Sequence, residues 1–269
     1  MNKCRVILSA LLLIVATGIT HAHDFWIETD NFSPSRGENV AVSLHFGVGF
    51  DSNTFPYTQA LIDDFSVTDE RGRRTITSTQ GSDPAAAIKA TAGAQLLGYQ
   101  SKPQFIELDA ATFDVYVEEE GIEYIRAERE RRGESKAPAA ENFIRCAKAL
   151  IQNGDSTQDI YRHKLGYTLE LVPLSDPYKL RRGENIDFVV LYQGKPTEGL
   201  LVQALSKTNP QNVQKVRTNK SGIASVTMDE QGVWLIKVVL MTPLAKRQPL
   251  EGTKSASWQS YWATYVFEL

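Results

Sequence analysis

Val40-Ala41-Val42-Ser43-Leu44-His45-Phe46 alternates, with Val40, Val42, Leu44 and Phe46 on one face and Ala41, Ser43 and His45 on the other. A period of two is the signature of a half-buried β-strand, and it puts His45 on the more polar face. The residues just before it, Ser35-Arg36-Gly37-Glu38-Asn39-Val40, return later as Arg181-Arg182-Gly183-Glu184-Asn185-Ile186. In both copies a glycine turn leads into an apolar strand, Val40–Phe46 and Ile186–Tyr192, which suggests two similar β-rich halves.

Outward from that strand the pattern stays β. Phe65 and Val67, then Glu70-Arg71-Gly72-Arg73 and Thr75 to Thr77, predict a hairpin with glycine near the turn, and Phe105 to Leu108 another short strand. The last hundred residues are the clearest. Phe188 to Leu191, Leu200 to Leu205, Ile223 to Met228, Val233 to Leu240 and Tyr261 to Phe267 are strands at short spacing, with Gly194-Lys195-Pro196, Asn219-Lys220-Ser221-Gly222 and Gln231-Gly232 as turns. Between the halves the character changes. Thr112 to Glu120 and Ile122 to Arg132, each closed by a glycine, read as helices. So does the stretch after Pro138, where Phe143, Ala147, Leu150 and Ile151 share a stripe ahead of Gly154. Arg126 to Arg132 reads as a solvated helix face, and Cys146 as a small buried hydrophobe.

The expected fold is therefore mostly β: two β-sandwich domains, Ig-like or transthyretin-like, with a helical insertion in the first. The domains cover residues 23–174, with the insertion near 110–154, and residues 175–269 after the Ser175-Asp176-Pro177 linker. The second carries its own strands and turns and is expected to fold alone.

Residues 1–22 read as a secretory signal. Lys3 and Arg5 precede an apolar run from Val6 to Val15, and Thr20 and Ala22 place small residues at −3 and −1 of a cut. A cut after Gly18 is the rival. The run is too short for a membrane anchor. The expectation is a soluble, exported, periplasmic protein beginning at His23. The formal charge of −3 becomes more negative without Lys3 and Arg5, which argues against a nucleic-acid partner. Cys4 leaves with the signal, so Cys146 has no internal partner for a disulfide.

A terminal His offers a metal both its amine and its ring nitrogen. With one further imidazole it makes a three-nitrogen set suited to copper or nickel. The candidates are His23, His45 and His163, with Asp24 and Glu28 as weaker oxygen donors. Each has an ordinary reading beside the metal one: a frayed terminus for His23, a surface residue for His45, a hydrogen-bonded core residue for His163. Phe25, Trp26 and Ile27 argue against fraying, since they would pin the terminus into a sheet. No nucleophile elbow, zinc-protease motif, P-loop or dinucleotide-binding glycine pattern occurs, so the chain is read as a binding protein and not an enzyme. Trp258, Tyr261, Trp262 and Tyr265 alternate as a strand would and read as core.

Several motifs in order carry a resemblance. They are His23-Asp24-Phe25-Trp26-Ile27-Glu28, Tyr116-Val117-Glu118-Glu119-Glu120-Gly121-Ile122, Gly166-Tyr167-Thr168-Leu169-Glu170-Leu171-Val172-Pro173 with Asp176-Pro177-Tyr178, Gly194-Lys195-Pro196 with Val202, Thr218 to Gly222, and Gly232-Val233-Trp234. Over nearly the whole mature length the chain resembles an exported bacterial family of unknown function, often labelled a periplasmic component of cobalt or nickel uptake. That resemblance implies nickel or cobalt as ligand and a membrane metal transporter as partner; with the nitrogen set's fit to copper, the expected cofactor is a transition-metal ion (Ni, Co or Cu). Where many relatives carry Gly-His-Pro-Phe, this chain has Gly47-Val48-Gly49-Phe50, and the nearest imidazole is His45. The expected function is metal binding for uptake or delivery. The alternative is a non-metal periplasmic or cell-surface module for a protein or glycan partner.

Overall fold

The structure is a computed structural model that describes residues 24–156, 158–249 and 255–269, without the side chains of 245–249. His23 and the expected signal segment lie outside the described residues. The first half runs β1 (Asp24–Thr29), β2 (Asn39–Val48), β3 (Asp51–Phe55), β4 (Ile62–Asp69), β5 (Gly72–Thr75), β6 (Ala86–Lys89), β7 (Gly93–Ser101) and β8 (Gln104–Leu108). Helices α1 (Ala110–Glu119) and α2 (Tyr124–Arg131) follow, then the long strand β9 (Ala139–Asn153). The second half runs β10 (Leu169–Pro173), β11 (Asn185–Tyr192), β12 (Lys195–Pro196), β13 (Leu201–Ser206), β14 (Asn209–Arg217), β15 (Ile223–Thr227), β16 (Val233–Pro249) and β17 (Ser255–Glu268).

The described residues form three sheets: β1-β2-β3 with β6, β10-β11-β12 with β15, and a nine-stranded sheet ordered β14-β13-β16-β17-β9-β7-β4-β5 with β8 beside β9. The nine-stranded sheet is the middle layer. One of its faces packs on β10, β11 and β15 through Leu169, Leu171, Phe188, Val226, Trp234, Tyr265 and Phe267. The opposite face is covered side by side by two things. The β1–β2 sheet packs over Tyr99, Ala147, Leu205, Leu235 and Val266. The helices pack over Val239, Met241, Trp258 and Trp262. Two sandwiches thus share one middle sheet, and the chain is mostly β, as expected.

β17 pairs parallel with β9, from Trp258 opposite Glu141 to Val266 opposite Ala149, and this joins the strands of the two halves. Residues 143–151, expected as a third helix, lie within strand β9. The reason is burial on both faces: Leu150 and Cys146 face one core, Ala147, Ala149 and Ile151 the other. A strand covered on both sides loses its polar alternation, so the period of two disappears and a chance helical stripe remains. The insertion is α1 and α2 alone.

The helical pair is built locally. Asp109 caps α1, accepting from the Ala111 and Thr112 amides at 3.0 and 2.9 Å. Gly121 ends it with φ +67°, and a Cβ there would meet the Leu201 side chain at 2.5 Å. Only glycine allows both the left-handed turn and that approach to β13. Arg129, expected in solvent, is buried with its guanidinium 4.8 Å from the Phe113 ring centre.

Candidate functional site

Between the β1–β2 sheet and the helices the two coverings part, and the middle sheet answers with polar residues. Along β16, Leu235 packs under the first sheet and Val239 and Met241 under the helices; Lys237 stands between them. Along β17 the same position falls to Thr264, between Trp262 and Val266. Strand register lines these up: Lys215 opposite Gln203, Gln203 opposite Lys237, Lys237 opposite Thr264. A polar rung therefore crosses four strands, flanked on the same face by Leu205, Leu235 and Val266 on one side and by Leu201, Val239 and Trp262 on the other, with Arg217 at the β14 end.

Over this rung lies a cavity of about 700 Å³. Its walls come from the β2–β3 turn (Val48 to Asp51), the end of α1 (Glu119, Glu120), strands β13 and β14, and Asp24 at the head of β1. Lys237 is the centre of its floor. The ammonium donates to Asp24 Oδ1 at 2.7 Å and to Glu120 Oε1 at 3.0 Å. The Gly49 amide donates to Asp24 Oδ2 at 3.1 Å. Gln203 Nε2 donates to Glu120 Oε2 at 3.1 Å and to the Glu119 carbonyl at 3.0 Å.

Asp24 and Glu120 are buried and Lys237 nearly so, which sets the electrostatics. Burial pushes the Glu120 carboxyl up to about 7, although Lys237 pulls the other way. Burial alone would lower Lys237; Asp24 and Glu120 outweigh it and hold the ammonium above the usual lysine range. Lys207, at the far end of the cavity, pairs with Glu28, which also accepts from Trp26 Nε1 at 3.2 Å. Perturbed, buried charges beside a cavity are the usual physical marks of a functional site.

His45 is half-buried. Its ring stacks on Trp26 at 5.3 Å, and Nδ1 lies 3.1 Å from Ser52 Oγ. Burial lowers its pKa, partly offset by Glu28, which favours the neutral ring. His163, expected to point inward, is exposed at the end of a one-turn helix, Ile160–Arg162. Its carbonyl accepts from Lys148, whose side chain serves the opposite face of the middle sheet. The two imidazoles are thus not brought together. Among the described residues no three His, Cys, Asp or Glu side chains gather as a metal site. Cys146 is buried and free, as expected.

Sequence reasoning singled out Asp24, but only as a weak oxygen donor, and it missed Lys237, Glu120 and Gln203. One signal was available: Lys237 is a lone charge inside the apolar run Val233-Trp234-Leu235-Ile236-Lys237-Val238-Val239-Leu240.

No curated protein matches the chain. A family profile described as a domain of unknown function, DUF4198, matches residues 20–242, which end within β16. The chain belongs to that family.

Proposed function

We propose that the protein is exported to the periplasm and binds a transition-metal ion, nickel, cobalt or copper, through a mature amino-terminal His23, serving metal uptake or delivery to a membrane transporter. One observation supports this above the others. Asp24, the next residue, is fixed in the cavity floor by Lys237 and Gly49, and one trans peptide spans only about 3.8 Å between Cα atoms. Cleavage after Ala22 would therefore create a free amine and an imidazole one residue from Asp24. The metal would take both nitrogens of His23. His45, neutral and two pairings along β2 from the partner of Asp24, is the nearest described imidazole to complete the set. His163 belongs to another surface and serves no role in this centre.

No helix among the described residues is long and apolar enough to cross a membrane. The test is native mass spectrometry of the exported protein with Cu(II), Ni(II) and Co(II), alongside a form carrying one Gly before His23. The added residue displaces the amine and leaves every side chain in place. Affinity should fall at least tenfold, about 1.4 kcal/mol. Equal binding by both forms removes the terminal-His reading.

The second reading, a module for a protein or glycan partner, draws on the cavity rim. Val48 and Val213 are 54% and 37% exposed, large apolar side chains left in solvent at its edge.

A further inference from the structure

The cavity carries charges that a bare cation does not answer. Lys207 and Lys237 are engaged by Glu28, Asp24 and Glu120. Lys215, on the β14 wall, has no ion-pair partner among the described residues, and the same holds for Asp51 and Glu119. The free acids come from the two covering layers, Asp51 from the β2–β3 turn and Glu119 from the end of α1. The free base comes from the edge strand of the middle sheet. Phe50, Leu205 and Val213 line the same cavity.

A ligand that satisfies this wall needs a carboxylate, an ammonium and an apolar body, within a volume that suits a small molecule (typical sites span about 300–1,000 Å³). We propose that the cavity binds a small zwitterion, an amino acid or short peptide, with its carboxylate on Lys215, its ammonium on Glu119 and Asp51, and its side chain against Phe50, Leu205 and Val213. The floor supports this without taking part in it. The Asp24–Lys237–Glu120 group is internally paired and pinned by Gly49 and Gln203, so it ties α1, β1 and β16 together beneath the cavity. Preorganised walls reduce the ordering cost of binding a small flexible ligand. The proposal concerns the cavity alone and stands whether or not His23 binds a metal.

The experiment is calorimetry in excess EDTA, which silences any metal, with leucyl-leucine, N-acetyl-leucyl-leucine and leucyl-leucinamide. Leucyl-leucine should bind, and each blocked form should bind at least tenfold more weakly. Lys215→Met should abolish the preference for the free carboxylate over the amide. Glu119→Gln with Asp51→Asn should abolish the preference for the free amine over the acetyl form. All three residues lie on the cavity wall outside the packed core, so the variants should fold as wild type does, which circular dichroism checks. No binding of leucyl-leucine at millimolar concentration, or equal binding of free and blocked peptides, overturns the assignment. So does a wild-type pattern in the Lys215 variant.

Discussion

Two lysines enter the middle sheet from opposite faces and are treated differently. Lys148 is 1% exposed; it pairs with Glu170 at 2.6 Å and donates to the Leu171 carbonyl at 3.0 Å. Both carboxylate oxygens of Glu170 are used, the second by the Gly166 amide, and the whole group is enclosed by the β10–β11 layer. Lys237 spends its ammonium on carboxylates from two separate coverings, and those carboxylates line an open cavity. The desolvation problem is the same; the difference lies in who can reach the answer. A buried ion pair is weak evidence of a site by itself. A buried ion pair whose partners face a cavity marks a candidate site.

The bluntest way to break the comparison is to remove one face. The shared sheet changes the expectation for residues 175–269. Cut there, the chain loses β10, the parallel partner β9 and the whole covering of Leu205, Leu235, Val266, Trp258 and Trp262. The fragment should give no cooperative urea transition and should bind an exposed-hydrophobe dye. A sharp, reversible transition would mean that one sandwich stands without the other.

The lysines themselves come next. Lys148→Met strands Glu170 in a closed core and should cost about 3–5 kcal/mol by chemical denaturation. Adding Glu170→Leu should recover most of it. Lys237→Met should cost less, because Glu120 sits near neutrality and takes up a proton, while Gly49 and Gln203 still hold the acids. Equal losses at both positions would erase the distinction between sealed and open sites.

A third buried charge sharpens it further. Glu141, under the helices, accepts from Tyr116 and Ser260 through Oε1, while Oε2 has no hydrogen-bond partner among the described residues. Burial pushes its carboxyl up to about 7 from 4.5. Below pH 4.5 both folded and unfolded chains hold the proton. Between 4.5 and 7 the unfolded chain releases it and the folded one does not, so stability falls as pH rises, by roughly 3 kcal/mol in all. Glu141→Gln should remove that slope, matching wild type near pH 4.5 and exceeding it at pH 8. Parallel pH–stability curves for the two proteins would show that the buried acid titrates at the same pH in the folded and unfolded chains.

How much of this was legible depended on what each residue faces. β2 and β17 announced themselves because their faces differ in polarity or aromatic content. β9 did not, because both of its faces are core. The sites divide in the same way. His45 was placed on the outer face from parity alone, yet its stack on Trp26 belongs to a cross-strand pairing that spacing does not encode. Asp24, Glu120 and Lys237 meet from three distant elements, and only the lone charge in β16 hinted at their meeting.

The smallest expected effect tests that stack. Burial lowers the His45 pKa below 6.5, so the unfolded chain takes the proton first as pH falls. The histidine's contribution is therefore fully present above about 6.5, the ordinary imidazole value, and is lost on going below it. His45→Ala should cost about 1 kcal/mol at pH 7.5 through the lost ring contact. It should also flatten the acid limb of the stability curve. His45→Phe separates the two effects, since it keeps a ring on Trp26 and cannot titrate: near wild-type stability at pH 7.5, with the same flattened limb. If His45→Phe retains the acid slope, the titrating group is another residue, and His45 is not the neutral imidazole that a metal beside Asp24 would need.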